Sequence, residues 1–265
     1  MSATTPGTAR AYQAAEADPA RQGAATRSVV AAAVAGNALE FYDFVTYAFF
    51  AVYIGKAYFP ASTAYASLLL SVAVFGIGFL ARPLGGVVFG AMGDRVGRRA
   101  SLIWTIALMT IGTLGVALTP SYASIGLAAP LIVVVARLVQ GLALGGEIGP
   151  SSAFLVESAP RGKRGLYASW QLGSQGAGIL AAGLLGLAFS HALSHEDMLA
   201  WGWRVPFLLG LLIVPLALYL RRAMPETLHA QAAAPQRGQA GARPSAGLVL
   251  VAIGVILGGT VSTYL

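Results

Sequence analysis

The sequence predicts an all-α protein that crosses a membrane several times, and four features of its composition support this. Residues of the hydrophobic class make up 57% of the 265 residues, charged residues make up 10%, and the mean hydropathy is +0.71. Soluble domains carry about 25% charged residues, so a chain this poor in charge cannot cover a water-facing surface. Glycine occurs 33 times, which suits membrane helices because small residues let them pack closely.

The rest of the composition excludes several classes of function. Cysteine is absent, which excludes disulfides, thiol chemistry and cysteine metal sites. Three histidines offer little for a metal centre. No nucleophile–histidine pair or phosphate-binding loop indicates an enzyme, so we expect neither metal nor cofactor. The net charge of +7 does not indicate nucleic acid, because the basic residues fall between apolar runs. Lipid is therefore the expected surrounding.

Seven apolar stretches are long enough to cross the ~30 Å hydrocarbon core as helices that rise about 1.5 Å per residue. They cover residues 29–54, 66–92, 101–119, 128–156, 166–190, 202–221 and 246–265. We expect residues 1–28 to form a disordered cytoplasmic tail rather than a cleaved signal peptide, because the apolar stretch after it continues to Phe59. Residues 29–222 then form a six-helix bundle and residues 223–245 a cytoplasmic linker. Residues 246–265 form the first helix of a truncated second bundle.

The distribution of Lys and Arg predicts the orientation, because cytoplasmic loops are enriched in these residues. The tail and the loops after the second, fourth and sixth spans hold thirteen of them, whereas the opposite loops hold Lys56 alone. The N-terminus is therefore expected in the cytoplasm.

Charged residues inside the spans are candidates for function, because each costs ~2.5–3.5 kcal/mol at mid-membrane on insertion scales. They are Glu40, Asp43, Arg82, Arg137 and Glu147. Glu40 and Asp43 share a helix face at the depth of Arg137, which predicts a proton-coupling cluster. Arg82 and Glu147 lie in the cytoplasmic third and predict a second pair. Three acids against two bases leave one carboxyl that would bind a proton; the alternative is that all five are fixed ties between helices.

Polar side chains within the spans are candidates for solute binding. The candidates are Asn37, Tyr42, Arg137, Gln140, Gln171 and Gln175. On the fifth span, Trp170, Gln171, Ser174 and Gln175 form one polar stripe, which suits a solute and a neighbouring helix equally well. Gly141, Gly145 and Gly149 repeat at the spacing of a close packing seam.

Three motifs resemble those of the major facilitator superfamily. The loop at residues 90–99 has the sequence GAMGDRVGRR, the fourth span carries Arg137-x-x-Gln140-Gly141, and the next loop carries Glu157-x-x-Pro160-x-x-x-Arg164-Gly165. The resemblance implies a cytoplasmic gate that comprises Gly90, Asp94, Arg95, Gly97, Arg98, Arg99, Glu157 and Arg164.

Longer stretches resemble the metabolite:proton symporter family, among them GNALEFYDF (36–44), ARPLGG (81–86) and WRVPFLLG (203–210). Members of that family carry citrate and related tricarboxylates, 2-oxoglutarate, shikimate, or proline and betaine, together with protons. The resemblance implies proton symport of a small organic acid across the cell inner membrane, with Asp43 and Arg137 in the central cavity. Symport of a zwitterion such as proline or betaine is the alternative.

The family has twelve spans in two halves, with the solute bound between the halves. The chain would therefore lack the C-terminal half of the cavity, which we expect activity to require. A truncated, non-transporting half is a further alternative.

Overall fold

The computed structural model describes residues 19–157, 159–160 and 162–223, and within these ranges the chain is helical and has no strand. The helices are α1 (Pro19–Phe49), α2 (Ala51–Tyr58), α3 (Ala64–Arg95), α4 (Arg98–Leu118), α5 (Tyr122–Ile125), α6 (Ala128–Glu157), α7 (Arg164–Ala192), α8 (His195–Ala200), α9 (Val205–Leu211) and α10 (Ile213–Ala223). A 3₁₀ turn, Gly202–Arg204, precedes α9. The all-α prediction is confirmed.

Five described segments are long and apolar enough to cross a membrane, and each overlaps one predicted span. They are Ala64–Arg95, Arg98–Leu118, Ala128–Val156, Arg164–Ala192 and Gly202–Tyr219. Helices α1 and α2 cover the predicted first span, 29–54, but α1 is not among the five. It carries the buried polar residues Asn37, Glu40 and Asp43.

One predicted boundary differs from the structure, and two predicted segments lie wholly or almost wholly outside the described residues. Helix α1 begins at Pro19, so it includes residues 19–28 of the segment that we expected to be disordered. That segment is rich in alanine, which has the highest helix propensity. The predicted linker, 223–245, lies outside the described residues except for Ala223, and the predicted seventh span, 246–265, lies outside them entirely.

Helix α6 packs closely against α3 because glycines remove side chains from the contact. Helices α3 and α4 both pack along α6, and α1 packs along α7. A Cβ atom at Gly141 would collide with the carbonyl of Gly78, and one at Gly145 would collide with the carbonyl of Arg82. Gly149, in contrast, faces open space. The predicted seam is therefore confirmed at Gly141 and Gly145 but does not extend to Gly149.

The turn between α3 and α4 requires a glycine. Gly97 has φ of 127°, a backbone conformation that L side chains rarely adopt. The turn lets the guanidinium of Arg98, at the start of α4, return to the end of α3, where its Nη1 lies 2.8 Å from Oδ1 of Asp94. The hydroxyl of Ser101 donates to the carbonyl of Phe89 at 2.8 Å and joins the same two helices one turn further on.

Aromatic side chains form much of the core at the opposite end of the helices from this turn. Tyr58, Trp203 and Phe207 are buried there, and the hydroxyl of Tyr58 donates to the carbonyls of Val116 and Thr119. Large apolar side chains elsewhere point outward, including Leu80, Val87 and Leu172. An apolar exterior of this kind is what a lipid environment requires.

Candidate functional site

The centre of the candidate site is a buried ion pair between α1 and α6. Nη1 of Arg137 lies 3.3 Å from Oδ2 of Asp43, and the two side chains are 5% and 3% exposed. The pair lies within apolar helices, where a lone charge would be costly. Each residue thus supplies the opposite charge that lowers the cost of burying the other.

Two further side chains complete the surroundings of Asp43. The hydroxyl of Thr113, on α4, donates to Oδ1 at 2.8 Å, and Nε2 of Gln140, on α6, donates to Oδ2 at 3.0 Å. Gln140 also donates to the Thr113 hydroxyl at 2.9 Å. Three helices therefore converge on one carboxylate. Thr113 is absent from the sequence-based candidates, and its only signal is a polar residue in the middle of an apolar helix.

Aromatic rings support Arg137 from its other side. The Cζ atom lies 3.6 Å from the centroid of the Tyr47 ring, a geometry in which the ring face attracts the cation. Tyr47 in turn stacks on Phe75, with ring centroids 5.5 Å apart. Among the described residues, Nε and Nη2 of Arg137 have no hydrogen-bond partner. The guanidinium therefore keeps donors available beyond its bond to Asp43.

A small cavity, partly open to its surroundings, adjoins this ion pair. Its charged lining consists of Glu40, Asp43, Arg82 and Arg137, so the structure brings all three members of the predicted proton-coupling cluster to one cavity. The rings of Phe44, Phe75 and Phe79 form much of the apolar lining. This combination of apolar walls and a few converging polar groups is typical of small-molecule sites.

Arg82 and Glu147 were predicted to form a second pair, but Glu147 has a different charged partner. The carboxylate forms a fully buried ion pair with Arg221 of α10, and the hydroxyl of Thr105 donates to its Oε2 at 3.0 Å. Arg82 lies against Phe79, with its Cζ 3.9 Å from the ring centroid. Arg221 is the last residue of the predicted sixth span and was counted with the loop that follows, which is why its role could not be predicted.

Two of the predicted solute-binding residues instead join helices. Asn37, on α1, donates to the carbonyl of Gln171 at 2.8 Å and to the hydroxyl of Ser174 at 2.7 Å, both on α7. The amide of Gln171 returns a hydrogen bond to Oδ1 of Asn37 at 3.0 Å and accepts one from Ser151 of α6 at 3.1 Å. The polar stripe thus forms a buried network among α1, α6 and α7.

The other predicted solute-binding residues divide between the cavity and its surroundings. Gln140 and Arg137 line the cavity. The hydroxyl of Tyr42 donates to the carbonyl of Pro206 at 2.6 Å, which joins α1 to α9. Gln175 is half-buried on α7, and neither Tyr42 nor Gln175 is part of the cavity lining.

The predicted gate residues surround the turn between α3 and α4 and the ends of α6 and α7. Asp94 and Arg98 are paired, Gly97 makes the turn, Gly90 is half-buried, Arg95 is exposed and Arg99 is half-buried. Arg164 is exposed at the first position of α7. Glu157 ends α6, and its side chain lies outside the described part of the chain.

Comparison with known protein families decides the class of protein. Residues 28–237 match the family described as "Sugar (and other) transporter". The chain belongs to this family of the major facilitator superfamily. It is therefore a transporter-family protein rather than an enzyme, and its apolar helices and bacterial relatives place it in the cell inner membrane as a multi-pass protein.

The curated relatives of this transporter-family chain include carriers of different solutes. It is 46% identical over 209 residues to the citrate-proton symporter of Salmonella typhi, covering 79% of this chain and 48% of the relative. It is 39% identical to the alpha-ketoglutarate permease of Escherichia coli (75% and 46% covered) and 41% identical to the proline/betaine transporter of Salmonella typhimurium (76% and 40%). The chain thus spans about half the length of these relatives.

Solved structures share the fold. The proton:xylose symporter XylE, bound to 6-bromo-6-deoxy-D-glucose, superposes with a TM-score of 0.70 at 20% identity. The match covers 78% of this chain and 46% of the XylE chain. The partially occluded, inward-open xylose transporter XylE of E. coli superposes with a TM-score of 0.68 at 21% identity, with 78% and 52% covered. At this level of identity the likeness concerns the fold.

Proposed function

We propose that this chain is part of a proton-coupled symporter for a small organic acid, such as citrate or 2-oxoglutarate. The observation that carries the proposal is the Asp43–Arg137 pair beside the cavity, in which Arg137 keeps Nε and Nη2 without a partner among the described residues. A guanidinium with free donors suits a carboxylate, which it can bind through two parallel hydrogen bonds. Citrate and 2-oxoglutarate carriers among the relatives support this class of solute.

The pair also offers a way to couple a proton to solute binding. A proton on Asp43 removes its charge and weakens its hold on Arg137, which frees the guanidinium for the carboxylate of the solute. Glu40 is the other candidate carrier of the proton. A difference of a few kcal/mol between the two states of such a pair is enough to change which conformation predominates.

The turn between α3 and α4 is the second part of the proposal. With the N-terminus in the cytoplasm, Asp94, Gly97 and Arg98 lie on the cytoplasmic side and form part of a gate. The 2.8 Å contact between Arg98 and Asp94 holds the start of α4 to the end of α3, so that both helices would move as one unit when the gate opens.

A zwitterion such as proline or betaine is the second candidate solute. It is favoured by the three phenylalanine rings that line the cavity, because ring faces attract ammonium groups. The proline/betaine transporters among the relatives favour it as well. Competition of unlabelled citrate or proline against each labelled solute distinguishes the two classes.

Transport is tested by reconstituting the chain in liposomes with a proton gradient and measuring uptake of labelled citrate. We expect uptake that collapses when the gradient is dissipated and that is lost in Asp43→Asn. The chain covers about half the length of its relatives, so a half that works only with a further bundle is the competing candidate. Gradient-driven uptake by the chain alone would exclude that candidate, whereas full uptake by both Asp43→Asn and Glu40→Gln would refute the proposed proton site.

A further inference from the structure

Glu40 is a buried acid whose hydrogen bonding is incomplete. The residue is 1% exposed, and neither carboxyl oxygen has a hydrogen-bond partner among the described residues. This differs from Asp43 on the same helix face, whose oxygens accept from Thr113, Arg137 and Gln140. A buried carboxylate that accepts no hydrogen bond is costly, so a further group is needed to satisfy Glu40.

The group that Glu40 meets across the helix interface is a second carboxyl. Gly36 lies one turn earlier on α1, and a Cβ atom there would contact Oε1 of Glu147 and the guanidinium of Arg221. Glu40 extends from the same face one turn later, which places its carboxyl beside that of Glu147 on α6. The contact therefore joins two acids that lie 107 positions apart in the sequence.

The charged groups around this carboxyl pair come from four helices. Glu147 of α6, Arg221 of α10 and Arg82 of α3 act on Glu40 electrostatically, and Asp43 of α1 and Arg137 of α6 line the same cavity. Asp43 and Arg137 are paired with each other. Arg82 lies over the Phe79 ring, and neither oxygen of Glu40 accepts a hydrogen bond from it.

Arg221 pairs with Glu147 and gives no hydrogen bond to Glu40. It pairs with Oε1 of Glu147 and donates to the carbonyl of Leu102, and Thr105 occupies Oε2 of Glu147. Two carboxyls thus share one guanidinium. Two neighbouring buried carboxyls cannot both ionise without a large cost in free energy. A single proton between them supplies the missing hydrogen-bond donor.

We propose that Glu40 and Glu147 share one proton in a carboxylic acid–carboxylate hydrogen bond between α1 and α6, and that this pair is a proton-binding site separate from Asp43 and Arg137. On binding, the proton forms an O–H bond to one carboxyl and a hydrogen bond to the other. The set of Glu40, Glu147 and Arg221 then has no net charge. The role of this proton in transport rests on the proposed function; its presence does not.

Substitution of either acid should remove the proton. In Glu40→Gln, the carboxylate of Glu147 keeps Arg221 and needs no proton. In Glu147→Gln, the guanidinium of Arg221 becomes available to Glu40. In both cases one carboxylate faces one guanidinium, so two residues on different helices give the same result. A purely structural role for these side chains does not predict this equivalence.

Infrared spectroscopy of the purified chain in lipid nanodiscs detects the shared proton as a carboxylic acid C=O band. We expect the band at neutral pH, its shift on isotopic labelling of glutamate but not of aspartate, and its loss in Glu40→Gln and in Glu147→Gln. Asp43→Asn is the matched control and should retain it. Labelling of the unsubstituted chain needs no variant to fold, and the melting temperature of each variant reports whether it is folded.

Three results would overturn the inference: no carboxylic acid band, a band that shifts only with labelled aspartate, or a band that a folded Glu40→Gln variant retains. Failure of the proposed function is a separate result. A band with the expected glutamate dependence but no gradient-driven uptake supports the shared proton and rejects transport by the chain. Gradient-driven uptake, together with a band that only Asp43→Asn removes, supports transport by the chain and rejects the shared proton.

Discussion

Asp43 of α1 and Arg137 of α6 lie 94 positions apart in the sequence and form an ion pair between the two helices, at an Nη1–Oδ2 distance of 3.3 Å. Because both side chains are almost completely buried, each one alone would be an uncompensated charge. The pair therefore has two separable roles, in stability and in proposed transport, and the two roles respond differently to paired substitutions.

Arg137→Gln should destabilise the chain by about 3–5 kcal/mol, because it leaves the carboxylate of Asp43 buried without its cation. The double variant Asp43→Asn/Arg137→Gln should recover ~1–3 kcal/mol of that loss, since neither charge remains. Reversible unfolding in mixed detergent micelles measures both free energies. Strictly additive effects would contradict a direct ion pair. Recovered stability without recovered uptake would separate the two roles.

Thr113→Val should reduce stability by ~1–2 kcal/mol, because it removes the hydroxyl that donates to Asp43 and accepts from Gln140 while it keeps the side-chain shape. The matched control is Thr110→Val on the same helix, whose hydroxyl donates only to the carbonyl of Ile106 in its own helix. We expect the control to change stability by less than about 0.5 kcal/mol. Equal losses in the same unfolding assay would mean that the contact with Asp43 adds nothing.

The ion pair at the centre of the site was predictable from sequence, because charged residues in apolar helices must find partners and these two lie at matching depth. The apolar stretches 29–54 and 128–156 predicted the two helices that carry them, although α1 is not among the five described segments that are apolar enough to cross a membrane. Glu40 was expected to join the same cluster. It lies about 4.5 Å further along the axis of α1 than Asp43, in the direction of the N-terminus, and this rise is enough for it to meet Glu147.

The partner of Glu147 could not be predicted, for a different physical reason. Arg221 lies at the end of the last described helix, where hydropathy does not separate a buried position from a loop, and tertiary packing alone buries it completely.

The rotation of a helix about its axis could not be predicted either, as the neighbours Tyr42 and Asp43 show. Consecutive positions on a helix point in different directions, so Tyr42 bonds to Pro206 and Asp43 faces the cavity. Helix rotation of this kind is set by the neighbouring helices.

Gly145→Ala should destabilise the chain by about 1–3 kcal/mol, because the new methyl group would collide with the backbone of α3 at Arg82 and push the two helices apart. Gly176→Ala, in the middle of α7, meets open space and should stabilise the helix by about 0.5–1 kcal/mol. The two substitutions are chemically identical, so opposite signs would isolate the contact between α3 and α6. Loss of stability in both variants would instead indicate that the cost at Gly145 does not come from the contact with α3.

Tyr42→Phe distinguishes a structural hydroxyl from a solute-binding one. Because the hydroxyl donates to the carbonyl of Pro206 and lies outside the cavity lining, its removal should cost ~1 kcal/mol of stability. Tyr65→Phe, at a tyrosine that is 69% exposed, controls for the loss of a hydroxyl as such and should have no effect.

The corresponding test of the proposed solute site measures stability with and without citrate or proline. A solute that binds the folded chain raises its stability by about 2.7 kcal/mol at one hundred times the dissociation constant. Tyr42→Phe should retain the full increase, whereas Gln140→Leu should reduce it, because Gln140 lines the cavity and holds Asp43. If Tyr42→Phe abolished the increase while the free chain kept its stability, the hydroxyl would belong to the solute site. The contact with Pro206 would then have to break when the solute binds.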